Sequence, residues 1–135
     1  PWSLADVSGC SLAEYEDLMV KKGVVSAPLD PEETLKYVQK SGGDIIAKKG
    51  ATFYGVSASV NKILSALVAA YDSVATVSSM MHGEYGIEDV CISTMTIIGP
   101  EGVKGKVPVE LNYDEQQKLR ASADALKKVI ASIEI

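Results

Sequence analysis

SGGDIIAKKGATFYGVSAS, residues 41–59, is the stretch on which the fold is read. It has the pattern of one helix ending, a short break at Gly50, and the entry to a second, more apolar helix. Glycines at 42, 43, 50 and 55 remove side chains where two backbones, or a backbone and a small ligand, come close. Thr52 is the small polar group among them. Spacing alone favours tight helix packing, and a pocket for something small also fits.

Working back from that stretch, the first helix has a strong start signal. Asp30 suits an N-cap, Pro31 suits the first helical position, and Glu33 stands where a capping box needs it. Leu35, Val38, Gly42, Ile45 and Ile46 follow the 3.6-residue period, so Gly42 falls on the stripe expected to be buried. An interior glycine costs about 0.8–1 kcal/mol against alanine, and two adjacent ones imply a compensating close contact. Further upstream, Ser11 and Glu14 form a second capping-box pattern. Leu12, Tyr15, Leu18 and Met19 share a helical face up to Lys22-Gly23, and residues 24–29 connect.

Working forward, Val56, Val60, Ile63, Leu64, Leu67 and Val68 give the second helix an apolar face, and Ser and Ala fill most of the other. A helix so apolar all round is expected to be central and packed on more than one side. From Val74 the pattern changes to β-branched runs, Val74–Met81, Val90–Ile98 and Val103–Leu111, bounded by glycine-rich turns at 83–89 and 99–102. That predicts a three-stranded antiparallel sheet, with Pro108 favouring an edge position and Gly105 marking a bulge. Asn112 and Glu115 then cap a final helix striped by Leu119, Ala123, Leu126, Val129, Ile130 and Ile133. The predicted class is α+β, long helices packed on a small antiparallel sheet, in one domain spanning 1–135.

Composition narrows the function. Hydrophobic residues at 47% and charged ones at 23% are ordinary for a soluble globular domain. A net charge of -5 argues against a nucleic-acid partner, which needs clustered lysine and arginine. The longest apolar run, Ile63–Tyr71, is far shorter than the ~20 residues of a membrane span. Two cysteines, Cys10 and Cys91, make no disulfide framework, so a reduced, cytoplasmic setting is expected. The chain opens on Pro1-Trp2-Ser3, which suggests a piece of a longer polypeptide.

The residues assemble no catalytic set. His82 would need a carboxylate partner to act as a base, Glu84 is the nearest, and an exposed turn histidine is the simpler expectation. His82, Cys10 and Cys91 lack metal-ligand spacing, and neither cysteine has a basic neighbour to lower its pKa. The glycines do not match a phosphate loop. The expectation is a domain that helps bind something small.

Lys48-Lys49-Gly50-Ala51-Thr52-Phe53-Tyr54-Gly55-Val56 resembles the Lys-Gly-Ala-Thr-Tyr-Tyr-Gly motif of bacterial L-lactate dehydrogenases. Gly83, Tyr85, Gly86, Asp89 and Val90 match that family's Gly-x-Tyr-Gly-x-x-Asp-Val turn. Leu111, Glu115, Leu119, Ser122-Ala123 and Leu126 resemble its closing helix, and Pro1-Trp2-Ser3 resembles the segment shortly after its catalytic histidine. The resemblance covers essentially the whole chain.

It implies the C-terminal, substrate-binding half of an NAD-dependent 2-hydroxy acid dehydrogenase, inactive alone. The catalytic histidine, its aspartate, the substrate arginines and the NAD-binding Rossmann half would all precede Pro1. Thr52 then corresponds to the threonine beside the substrate's small side chain, Gly42 to a pocket-lining position about one helical turn before it, and Val56 to the apolar residue against the nicotinamide. Implied partners are a small 2-oxo or 2-hydroxy acid, the Rossmann domain of the same polypeptide, and further copies in a homo-oligomer, a tetramer when intact.

Many lactate enzymes have Ala-Tyr where this chain has Gly42-Gly43, and glycine pairs there are seen in malate and branched 2-hydroxy acid dehydrogenases, whereas Thr52 favours the methyl group of pyruvate. Lactate is the preferred substrate on this reading. The alternatives are a malate or branched 2-hydroxy acid enzyme, or a free-standing binding or assembly module without chemistry.

Overall fold

The structure, a computed structural model, describes residues 1–69 and 71–133. Its chain groups into two compact units, Pro1–Val56 and Ser57–Ile135.

The first unit opens with a helical turn, Trp2–Leu4, and a ribbon of β1 (Asp6–Val7) and β2 (Cys10–Ser11). Ser8 and Gly9 turn the ribbon with φ of 56° and 82°, and the Gly9 amide donates to Asp6 Oδ1 at 2.9 Å. Strands of two residues are too short to show alternation, which is why this ribbon was not legible. Helix α1, Leu12–Lys21, starts at the Ser11–Glu14 capping box, with both reciprocal hydrogen bonds formed. Helix α2, Pro31–Lys49, starts where Asp30 Oδ1 accepts the amides of Glu32 and Glu33 at 2.8 and 3.2 Å.

Two expectations for α2 need correction. Its stripe is not buried: Leu35 is 52% and Ile46 49% exposed. Nor are the adjacent glycines in close contact, since a Cβ on Gly42 or Gly43 would meet nothing within 4 Å. Periodicity reports which face is apolar and says nothing of what covers it. The helix runs unbroken through both glycines and ends at Gly50, whose φ of 82° is left-handed and whose amide bonds the Ile46 carbonyl at 2.7 Å.

Helix α3, Tyr54–Val68, spans the boundary between the units. The expectation of a central helix is likewise corrected. Only Ala66 is buried, while Val56, Val60, Leu64 and Val68 are exposed and Ile63 and Leu67 half-buried.

In the second unit, β3 (Ser73–His82), β4 (Glu88–Gly99) and β5 (Gly102–Lys106) form the antiparallel sheet in the order β3-β4-β5. Register runs from Ser73 opposite Ile98 to Met80 opposite Cys91. Strand β5 stops at Lys106, short of the predicted Leu111, and Pro108 lies beyond it because it has no amide hydrogen to extend a ladder. The bulge falls one residue from Gly105: Ile97 faces Gly105 and Ile98 faces Val103, which leaves Lys104 unmatched. Helix α4, Tyr113–Ala131, starts at the Asn112–Glu115 capping box.

The core is here. Met81, Ile87, Val90, Ile92 and Ala123 form one buried cluster, with Tyr85 and Leu119 packed against it. Among the described residues, every buried hydrophobic side chain lies in this second unit. Helix α4 buries only the first half of its stripe: Leu126, Val129 and Ile130 remain exposed, and Ile133, also exposed, lies past the helix end at Ala131. Among the described residues no helix is long and apolar enough to cross a membrane.

Candidate functional site

Two of the residues singled out from the sequence, Thr52 and Val56, lie at the α2–α3 corner. After Gly50 the chain runs through Ala51, Thr52 and Phe53 without regular structure, and α3 begins at Tyr54. Lys49 Nζ lies 4.5 Å from the Phe53 ring centroid and 4.2 Å from that of Tyr54. The two rings sit 4.6 Å apart, tilted by 53°. The last residue of α2 is thereby tied to the first of α3, with Thr52 in between.

Thr52 is exposed in that bridge. Gly42 is half-buried on α2, eight residues before Gly50, which is about 12 Å along the helix axis. It therefore lies more than two turns upstream of the corner rather than one. Val56 is 61% exposed on the first turn of α3. Because α3 starts at Tyr54, Thr52 is outside the helix, and helical spacing does not set Val56 beside it. The three residues therefore lie on successive elements, Gly42 on α2, Thr52 in the bridge and Val56 on α3. Clefts elsewhere are lined by other residues, such as one of about 400 Å³ among Leu12, Tyr15, Met19, Val24, Val25 and Leu29.

The Met81–Val90 turn carries no catalytic geometry. Gly83 and Gly86 adopt φ of 114° and 71°, Tyr85 and Asp89 also take left-handed values, and Val90 is buried in the core. Tyr85 donates its hydroxyl to the Val109 carbonyl at 2.9 Å, and Arg120 Nε donates to the Tyr85 carbonyl at 2.7 Å. Lys106 Nζ donates to the Met80 carbonyl at 2.6 Å and lies 3.6 Å from Glu84 Oε1. The residues of this motif set a backbone path.

His82 is exposed at the end of β3. Glu84 accepts its backbone amide at 2.7 Å, and that bond first, with Lys106 adding to it, holds the Glu84 carboxyl below its ordinary range. The acid–base pair considered from the sequence is thus not assembled. Both cysteines are free, and among the described residues no cluster of three or more His, Cys, Asp or Glu could hold a metal. Lys106 and Arg120 were missed as turn-binding residues. Arg120 did carry a signal, being the single arginine of the sequence and lying on the helix face next to Leu119.

The family model for the lactate/malate dehydrogenase alpha/beta C-terminal domain matches residues 2–134. The L-lactate dehydrogenase of Acetivibrio thermocellus is 35% identical over 134 residues, covering 99% of this chain and 41% of that enzyme. Among solved structures, the L-lactate dehydrogenase from Clostridium thermocellum superposes with a TM-score of 0.80 at 33% identity, over 99% of this chain and 42% of that one. The malate dehydrogenase from Archaeoglobus fulgidus in complex with NADH superposes with a TM-score of 0.69 at 29% identity, over 74% of this chain and 34% of that one. The chain thus spans about two fifths of the length of the curated relatives it matches.

Proposed function

The chain belongs to the lactate/malate dehydrogenase C-terminal domain family, and from that premise we propose that it is the substrate-binding domain of an NAD-dependent L-lactate dehydrogenase. The observation that carries the reading is the corner itself. A β-branched residue, Thr52, stands in a bridge fastened at both ends, at the position the resemblance gives to the wall beside the substrate's methyl group.

The chain's own residues bind and shape. Thr52 limits the volume available to the substituent on the 2-oxo carbon. Gly42 leaves open space where a side chain would narrow the site. Val56 offers an exposed apolar face, which suits packing against the flat nicotinamide ring and keeping water from it. NAD, when bound, supplies the hydride acceptor in lactate oxidation.

A second half of the polypeptide, a dinucleotide-binding domain, supplies the catalytic histidine and the arginines that hold the carboxylate. On this reading the chain alone is inactive, and the intact enzyme works in the cytoplasm as a homo-oligomer, a tetramer. The uncovered apolar faces of α2, α3 and α4 support partner domains and further copies as their occupants.

The test is Thr52→Gly in the complete dehydrogenase. It should lower the kcat/KM ratio of pyruvate to 4-methyl-2-oxopentanoate by about tenfold or more, the scale of a few methyl groups in an apolar pocket. Unchanged ratios across a series of 2-oxo acids would reject this placement of Thr52. Gly42-Gly43 favours a second reading, an enzyme for malate or a branched 2-hydroxy acid, which the same substrate series would show as a wild-type preference away from pyruvate.

A further inference from the structure

We propose that Lys49 is a positioning residue for substrate selectivity: its ammonium, held against Phe53 and Tyr54, fixes the α2–α3 corner and so determines where Thr52 stands. The proposal rests on the reading of Thr52 as a pocket wall.

Residues 51–53 form no helix or strand, so the ends of this bridge govern its path. At one end the left-handed Gly50 turns the chain out of α2. At the other, Lys49 reaches forward to the first residue of α3. Its Nζ lies 4.5 and 4.2 Å from the two ring centroids, inside the range of about 6 Å over which a cation is attracted to an aromatic face. The tilt of the rings lets one cation sit against both.

Thr52 is the middle residue of the three-residue bridge that this clamp spans. Its side chain is stiff at χ1, so the position of its methyl and hydroxyl follows the backbone. Loosening the clamp frees that backbone and softens the wall. Lys49 needs no contact with substrate to do this; it acts through Thr52. Arginine stacks on aromatic faces as well and should keep the clamp, whereas alanine cannot.

The experiment uses the complete dehydrogenase that carries this chain, assayed with pyruvate and with 4-methyl-2-oxopentanoate. Lys49→Ala should lower the pyruvate preference in kcat/KM by about two- to fivefold, as expected for one exposed cation–π contact. Lys49→Arg should restore it. Phe53→Leu/Tyr54→Leu, which removes the rings and keeps the cation, should reproduce the alanine effect.

In a Thr52→Gly background, Lys49→Ala should change the ratio no further, because no wall remains to be positioned. If Thr52→Gly shifts the ratio while Lys49→Ala does not, the proposal is overturned and the pocket reading stands. An equal effect of Lys49→Ala with and without Thr52 overturns it in the same way. If Thr52→Gly leaves the ratio unchanged, the pocket reading fails and this proposal fails with it.

Discussion

Gly42 shows how far a single residue could be read. The sequence placed it on an apolar helical stripe and implied a close neighbour, yet a Cβ there meets nothing within 4 Å. Helix propensity then predicts that Gly42→Ala stabilises this chain by about 0.5–1 kcal/mol, visible as a higher urea midpoint. Gly86 is the opposite case. Its φ is 71°, and a Cβ would approach Arg120 Nη2 to 3.3 Å, so Gly86→Ala should cost about 1 kcal/mol or more by the same measurement. Composition alone does not separate these glycines, because the difference lies in backbone angle and neighbours. Two threonines on β4 form a similar pair. Thr96 is fully buried with its hydroxyl bonded to the Thr94 carbonyl at 3.0 Å, while the buried Thr94 hydroxyl has no partner. Thr94→Val should leave stability equal or higher, and Thr96→Val should lower it by about 1 kcal/mol.

The four helices and the three strands of the larger sheet were legible because their existence rests on local chemistry. Side-chain caps form at all three starts, as reciprocal capping boxes at Ser11 and Asn112 and as an N-cap alone at Asp30, and the turns at Gly83 and Gly99-Pro100-Glu101-Gly102 separate the three strands. Asn112→Ala should therefore cost about 1 kcal/mol, with circular dichroism during urea unfolding as the readout. Burial was less legible, since an apolar stripe says nothing of what covers it; α2 and α3 had the pattern and remain exposed. The β3–β4 turn also carries a pH dependence whose sign follows from Glu84. The amide of His82, then the turn backbone and Lys106, favour its ionised form, so its folded pKa lies below the ordinary 4.5 of the unfolded chain. The stability it adds is present above pH 4.5 and is lost as pH falls through the lower folded value. Glu84→Gln should accordingly flatten the acid limb of a urea-midpoint profile between neutral pH and pH 3, and an unaltered limb would remove Glu84 as a cause.

At the scale of the whole molecule, the family was readable because its motifs span the chain, whereas the wall residues were placed only by likeness. Thr52, Gly42 and Val56 lie on successive elements, Thr52 and Val56 exposed and Gly42 half-buried, and on the proposed reading they form one side of a site completed from elsewhere. Apolar faces on α2, α3 and α4 are uncovered, and the purified chain should bind a hydrophobic dye or self-associate; a strictly monomeric, dye-negative chain would count against their proposed occupants. The proposed division of labour is what matters most: on that reading this chain shapes a cavity, and the groups that transfer the proton and hydride belong to another part of the enzyme. The direct measurement is the steady-state rate at which the purified 135-residue chain oxidises NADH with pyruvate. The account predicts no turnover above the buffer background, and turnover at an ordinary enzymatic rate would contradict it.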